Sequence, residues 1–345
     1  MDHETFLRYA RRPQQFKEDV LFKLKHEHIS HCFVDEIQKL PGLLDVVQDL
    51  IQSSACVFVL SGSSARKLRR SGVNLLAGRA LQYHLFPFVY AEIPDAFDLN
   101  TVLQFGSLPP VHVAPTLAHK IKILQTYVET YLKEEIQAEG LVRNLGGFGR
   151  FLEVAAGQCG DILVYQNVGQ ACQVEAKTVQ GYYEILQDTL IGLRHEPWRK
   201  SLKKRLVAHA KFYLFDTGVT NALNHRLTDV IDPQTRGRLF EQLMILECYR
   251  QLNYLGSEAR LFYWRTEHGA EVDLIIEKHG AIRAAIEFKS VPELRPRDFY
   301  GLKSFALEHP EVPRYLVYTG TQAYQATHAQ VWPYKLYLET IPTLL

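Results

Sequence analysis

The dipeptide Gly-Lys occurs nowhere in this chain, so the phosphate-cradling loop G-x-x-x-x-G-K-[ST] is missing from its 345 residues. No apolar run reaches the roughly 18 residues that a bilayer-spanning helix needs. The polar start MDHETFLRYARRP carries no signal-peptide pattern. Cysteine is scarce. Cys32, Cys56, Cys159, Cys172 and Cys248 form no C-x-x-C pair and no regular spacing, which reads as buried thiols in a reducing cytosol. Charge of one sign is also lacking, because 39 Lys and Arg face 38 Asp and Glu. A net charge of +1 says nothing strong about nucleic acid; only local patches could. There is no internal repeat and no low-complexity stretch. What remains, 47% hydrophobic and 22% charged, is a soluble globular composition long enough for two or three domains.

The stretch GAEVDLIIEKHGAIRAAIEFK, residues 269–289, carries a complete catalytic constellation. Strand-like runs at 271–277 and 282–289 flank a turn at His279-Gly280, the pattern of a β-hairpin. Strict alternation predicts that Glu271, Asp273 and Ile275 share one face, and that Glu287 and Lys289 share another. Asp273 on one strand then meets a carboxylate-x-lysine, Glu287 and Lys289, on the next. Two carboxylates suit a hard divalent cation such as Mg²⁺. Such an ion activates water toward a phosphate. A neighbouring lysine orients that water or offsets developing charge. Upstream, the helix-like run 238–251 contributes Glu241. The D…ExK order, with an acidic residue on the preceding helix, resembles the core of the restriction-endonuclease-like nucleases. That resemblance implies an α/β/α domain with Asp273 and Glu287 on the metal and Glu241 assisting. ExK at a strand end is also common on ordinary exposed strands, and His268 and His279 nearby read as exposed turn residues.

Toward the N-terminus, the apolar strand 31–34 ends in Asp35-Glu36. In a parallel sheet such strand ends carry functional groups. A strand ending in Asp-Glu has the form of a Walker B element, with the aspartate on Mg²⁺ through water and the glutamate polarising the attacking water. The same two acids also suit the start of the following helix. After a helix at 43–51, strand 56–60 ends in Ser61-Gly62-Ser63-Ser64, small hydroxyl residues that suit a γ-phosphate sensor. Arg66, Arg69, Arg70 and Arg79 make the segment beyond it basic; a solvated basic face is the alternative reading.

These motifs extend into a likeness over nearly the whole chain. FVDEIQKLPGLLDVVQDLI, VLSGSSARKLRRSGVNLLAGRA, FGSLPP, KTVQGYYEILQDTLIG, FYLFDTGVTNAL, RGRLFEQLMI, YWRTEHGAEVDLII and IEFK resemble the prokaryotic AAA-type ATPases that carry a C-terminal domain of unknown function 4143. The resemblance implies Asp35, Glu36 and Ser63 as nucleotide-related residues. It also implies Arg79 as a sensor or a finger reaching a neighbouring subunit of a homo-oligomer. Since the family's P-loop precedes the Walker B strand, ATP is expected as a cofactor only with an upstream P-loop.

Between these ends, FGSLPPV at 105–111 is a hinge-like loop. Helix-like runs follow at 117–139 and 141–156. Runs 162–171 and 176–189 read as a helix-turn-helix, with Val179, Tyr183, Leu186 and Leu190 at helical spacing. Its second helix, starting at Glu175, Ala176, Lys177, Thr178 and Gln180, suits a DNA groove or a packing role. The run RHEPWRKSLKKR, 194–205, is a basic patch for phosphates or a charged loop. Further strands are expected at 211–219, 260–266, 314–320 and 331–338, with a helix at 302–307.

The expected architecture is α/β: an incomplete P-loop ATPase region (1–95), a helical and winged-helix segment (96–204) and a nuclease-like domain (205–345). Three functional readings stand together: an ATPase-related protein associated with DNA, a Mg²⁺-dependent DNA endonuclease, and a non-catalytic regulator that binds DNA or a protein partner. A membrane partner is not expected.

Overall fold

Strands β1 (His31–Val34) and β2 (Val57–Leu60) run parallel, with His31 opposite Val57 and Val34 opposite Leu60. Parallel neighbours need a crossover, and here it is helix α3 (Leu43–Ser53), preceded in the chain by α1 (His3–Arg11) and α2 (Pro13–His26). Leu43, Val46, Val47 and Leu50 recur at helical spacing and are buried with Phe16 and Val20 of α2 and with Val34. The computed structural model describes residues 3–62, 80–131, 144–199 and 209–345. Two compact units divide it, residues 1–82 and 83–345. Among the described residues no helix is long and apolar enough to cross a membrane.

The second unit is built on an eight-stranded mixed sheet. Its strands are β3 (Gly192–Pro197), β4 (Lys211–Leu214), β5 (Arg260–Arg265), β6 (Glu271–Lys278), β7 (Ala281–Lys289), β8 (Arg314–Tyr318), β9 (Tyr324–Gln325) and β10 (Gln330–Pro333), in the spatial order β4-β3-β5-β6-β7-β8-β10-β9. β5, β6 and β7 form an antiparallel meander, and β7, β8 and β10 run parallel. Helices cover both faces. On one side α11 (Pro233–Tyr254) and α13 (Tyr334–Leu344) bury Leu243, Met244, Tyr337 and Ile341 with Leu274, Ile276 and Ile286. On the other, Leu302 and Phe305 of α12 (Tyr300–Glu308) pack with Trp264, Val272, Ile275 and Leu316. Each such fully buried side chain contributes about 1.5–3 kcal/mol.

Ahead of this sheet come short helices α4 (Leu99–Phe105) and α5 (Pro109–His112), then α6 (Leu117–Thr126), α7 (Leu145–Gly157), α8 (Tyr165–Cys172) and α9 (Ala176–Asp188). They share a core with the strands: Tyr183 of α9 meets Phe212 of β4 at 4.7 Å between ring centroids. α8 and α9 follow the expected helix-turn-helix order, with Glu175, Lys177, Thr178 and Gln180 exposed at the start of α9. A further helix, α10 (Thr217–Leu223), is capped by Asp216, whose side chain accepts from Val219 N.

Three local expectations are corrected. The start of the basic run 194–205 is not a loop but strand β3, in which Arg194 pairs with Glu196 at 2.5 Å and donates to Tyr165 Oη at 2.9 Å. Residues 200–205 lie outside the described residues. The expected strand at 331–338 stops at Pro333. Helix α13 begins at Tyr334 because Tyr337, Leu338 and Ile341 reach the core only at helical spacing. Alternation along β6 also breaks. Phe262 faces Ile275 whereas Trp264 faces Val272, so β6 carries one extra residue there, a β-bulge. Leu274 and Ile276 therefore enter one core and Val272 and Ile275 the other. Glu271, Asp273 and Ile275 do not share a face.

Candidate active site at the β6–β7 hairpin

The hairpin closes through His279 (φ 54°) and Gly280 (φ 79°), two left-handed residues that match the right-handed twist of the strands. From that turn the register runs back to Leu274 opposite Ile286, which sets Asp273 beside Glu287. The Phe288 amide donates to Asp273 Oδ2 at 2.8 Å, and Lys289 Nζ lies 2.5 Å from Glu287 Oε1. Asp273 and Glu287 are each 6% exposed. Glu287 Oε2 is buried without a hydrogen-bond partner. The first turn of α12 comes close: a Cβ on Gly301 would collide with Glu271 O and lie 3.3 Å from Glu287 Oε2. Only glycine permits that approach.

Electrostatics follow from burial. Desolvation, reinforced by the charges of Glu287 and Glu241, holds the Asp273 carboxyl well above the usual carboxylate range. Burial likewise pushes Glu287 up to about 7, against the pull of Lys289. Burial disfavours the Lys289 ammonium, but Glu287 and Asp273 outweigh it and raise its pKa above the ordinary value. Behind the strands, His195 Nε2 sits 3.0 Å from the Asp273 carbonyl oxygen; burial lowers its pKa to about 4, so the ring is neutral and donates.

Glu241 projects from α11 toward the same cluster but is engaged elsewhere. Its Oε1 accepts from Lys211 Nζ at 3.0 Å and from Tyr213 Oη at 2.5 Å. Lys211 also pairs with Glu271 at 2.5 Å, and Arg265 holds the second oxygen of Glu271 at 3.0 Å. Burial opposes the charge on Lys211, but Tyr213, Glu241 and Glu271 outweigh it and raise its pKa well above the ordinary value. Lys211, Glu241, Glu271, Arg238, Arg265 and Asp161 line a cleft of about 220 Å³. Sequence reading missed Lys211, Tyr213 and Glu271 as site residues. The available signal was a lysine opening the otherwise apolar run KFYLF, with Tyr213 two residues on and so on the same strand face.

His268 and His279 are both exposed. His279 Nδ1 lies 3.6 Å from Glu258, away from the carboxylates. The residues present fit a hard cation at Asp273 and Glu287: an orphaned buried carboxylate oxygen beside a second carboxylate is an incomplete oxygen ligand set. Among the described residues no three His, Cys, Asp or Glu side chains gather into a fuller metal cage.

In the first unit, Asp35 and Glu36 follow β1 and Ser61 follows the adjacent β2. Ser61 Oγ donates to Asp35 Oδ1, and the two strand ends are tied by Ser61 N to Val34 O and Ile37 N to Ser61 O, both 3.0 Å. Glu36 is left-handed (φ 56°), a conformation that costs a non-glycine residue roughly 1–2 kcal/mol. It makes no cap bond to the following turn; its Oε2 accepts from Gln38 at 2.7 Å and pairs with Lys39 at 3.5 Å. Ser63 and Arg79 lie outside the described residues.

Family comparisons divide the chain in three. The AAA domain family matches residues 1–94, a domain of unknown function (DUF8612) matches 96–230, and a second (DUF4143) matches 236–337. The chain is thus similar to the AAA domain family at its N-terminal end and to the domain of unknown function 4143 at its C-terminal end. It is similar to an uncharacterized protein of Mycobacterium tuberculosis and to one of Mycobacterium bovis, 25% identical to each over 252 residues, or 72% of this chain and 56% of each relative. The chain thus spans about half the length of the curated relatives it matches. No solved structure matches it.

Proposed function

We propose that the second unit is a metal-dependent phosphodiesterase of endonuclease type, acting on DNA, attached to an ATPase-related first unit that controls it. The observation that carries this reading is the buried, unpartnered Glu287 Oε2 beside Asp273, with Lys289 on the same strand. A buried carboxylate oxygen without a partner is costly, and a divalent ion would remove that cost. Supporting it, the helix bearing Glu241 and then the β6–β7 hairpin bearing Asp273, Glu287 and Lys289 succeed one another in the order that the endonuclease-like resemblance implies.

In this reading Asp273 and Glu287 hold Mg²⁺, which supplies a more acidic bound water and an electrophile for a phosphate oxygen. The Phe288 amide fixes Asp273, so the ligand is oriented before binding. Lys289 gives up its bond to Glu287 Oε1 or shares it, and its ammonium offsets negative charge gathering on the phosphate. Glu241 acts from behind, through Lys211. The test is cleavage of supercoiled plasmid with and without Mg²⁺ by the wild type, Asp273→Ala and Lys289→Ala. Metal-dependent cleavage lost in both variants supports the site, and cleavage that survives both removes it from the account.

A second reading concerns nucleotide, and the Ser61–Asp35 hydrogen bond favours it. A hydroxyl on the neighbouring strand end, bonded to the aspartate of an apolar-strand-Asp-Glu element, suits a sensor linking Mg²⁺ to nucleotide state. Asp35 and Glu36 then serve ATP whenever a P-loop is supplied to them, with Ser63 and Arg79 as further nucleotide-related residues. Saturable ATP binding by a P-loop-bearing form, weakened by Asp35→Asn, tests it; equal affinity in that variant speaks against it.

A further inference from the structure

We propose that Lys211 is a resident cation of the acidic cluster: its ammonium fills the place between Glu241 and Glu271, so that the site takes a single divalent ion, at Asp273 and Glu287. The inference rests on the metal-site reading above and specifies how many ions that site accepts and which acids stay off them.

Four carboxylates lie within electrostatic reach here, from α11 (Glu241), β6 (Glu271 and Asp273) and β7 (Glu287). So many acids so close together would ordinarily invite two ions. Lys211 arrives from a different part of the chain. Strand β4 pairs antiparallel with β3, His195 opposite Lys211, and an isolated bridge from Ile162 joins Lys211 on the other side. The backbone at Lys211 is therefore held by neighbours on both sides, and its side chain is 5% exposed. The ammonium stands 3.0 Å from Glu241 Oε1, 2.5 Å from Glu271 Oε1 and 5.5 Å from the centre of the Tyr263 ring.

The two halves of the cluster differ in how far their oxygens are committed. Glu241 Oε1 takes two donors, Lys211 and Tyr213. Glu271 has one oxygen on Lys211 and the other on Arg265. Glu287 Oε2 has none. A second divalent ion between Glu241 and Glu271 would have to evict a buried ammonium or sit against it, and breaking a buried ion pair is strongly unfavourable. An ion at Glu287 Oε2 evicts nothing. Ammonium groups alternate with the acids (Glu241–Lys211–Glu271 on one side, Glu287–Lys289 on the other), and among the described residues no three such side chains form a group that could hold a metal ion. Lys211 is thus a positioning residue: it holds Glu241 and Glu271 in place and supplies the charge a second ion would bring. It belongs to the segment 96–230 and Glu241 to the segment 236–337, so the site is complete only when both family segments fold together.

The test is Mn²⁺ stoichiometry, by electron paramagnetic resonance of free ion, on the full 345-residue chain. The wild type and Lys211→Arg are expected to bind one equivalent. Lys211→Met, which keeps the stem and loses the charge, is expected to gain a further equivalent, abolished by adding Glu241→Gln. No gain in Lys211→Met, or two equivalents in the wild type, overturns the inference. Glu241→Gln alone provides a check that does not require Lys211→Met to fold: its retention of the wild-type stoichiometry supports the inference, and loss of the ion contradicts it. A wild type that binds no Mn²⁺ removes the metal-site reading, whereas the difference between Lys211→Met and wild type still decides the role of Lys211.

Discussion

The backbone amide of Phe288 donates a 2.8 Å hydrogen bond to Asp273 Oδ2 across the β6–β7 pair. One proposed metal ligand is thereby fixed to the chain immediately after the other, Glu287. Asp273→Asn keeps the shape and still offers an oxygen to Phe288, while removing a carboxylate that burial already disfavours. Its melting temperature in chelator is expected to equal or exceed the wild type. The rise in melting temperature that Mn²⁺ gives the wild type is expected to vanish. A variant that keeps the rise would place the ion elsewhere.

Gly301→Ala tests the approach of α12. Its Cβ would collide with Glu271 O, which is backbone and cannot swing aside. Overpacking of this kind costs about 1–3 kcal/mol. Urea denaturation is expected to report that loss, together with weaker Mn²⁺ binding as α12 shifts off Glu287. Stability equal to wild type would show that α12 can move freely.

Glu247 predicts the pH dependence. It is 1% exposed, accepts from Tyr90 N at 3.1 and 3.2 Å, and faces Arg250 of its own helix and Glu92 of the neighbouring turn. Burial lifts its pKa from 4.5 to about 7 despite Arg250. The native state therefore holds a proton that the unfolded state releases between these values, and stability falls as pH rises from about 4.5 to about 7. The contribution is on the order of 3 kcal/mol. Glu287, also lifted to about 7, adds a fall of the same sign, so Glu247→Gln is expected to make this part of the stability–pH curve shallower without abolishing the slope. An unchanged slope would show that another group sets it.

Ser61→Ala should cost little. Asp35 is exposed, so loss of its hydroxyl partner is worth about 1 kcal/mol or less in urea unfolding of the first unit. A loss several times larger would mean that the Ser61–Asp35 link holds β1 to β2 and is structural.

Much of the hairpin was legible because two local signals agree there: period-two apolar runs and a His-Gly turn. Strands β6 and β7 fall within a residue or two of the expected limits. The β-bulge at Asp273–Leu274 was not legible, since nothing in EVDLIIEK marks where two residues oppose one on β5. Helix α13 was mistaken for a strand because Val331, Trp332, Tyr334 and Tyr337 favour β structure locally, while burial of Tyr337, Leu338 and Ile341 decides for a helix. Strand β3 hid in a run of charge whose partners, Tyr165 and β4, are remote in sequence. Lys211 escaped for the same reason: it meets Glu241 from 30 residues away and Glu271 from 60 residues away, contacts that only the sheet creates.

The central claim is that Asp273 and Glu287 form a divalent-cation site. Isothermal titration of Mg²⁺ into the wild type, Asp273→Asn, Glu287→Gln and the double variant at neutral pH tests it most directly. The account predicts saturable binding by the wild type, at least about 100-fold weaker in each single variant and undetectable in the double variant. Binding that persists in the double variant, or no binding by a folded wild type, would contradict it.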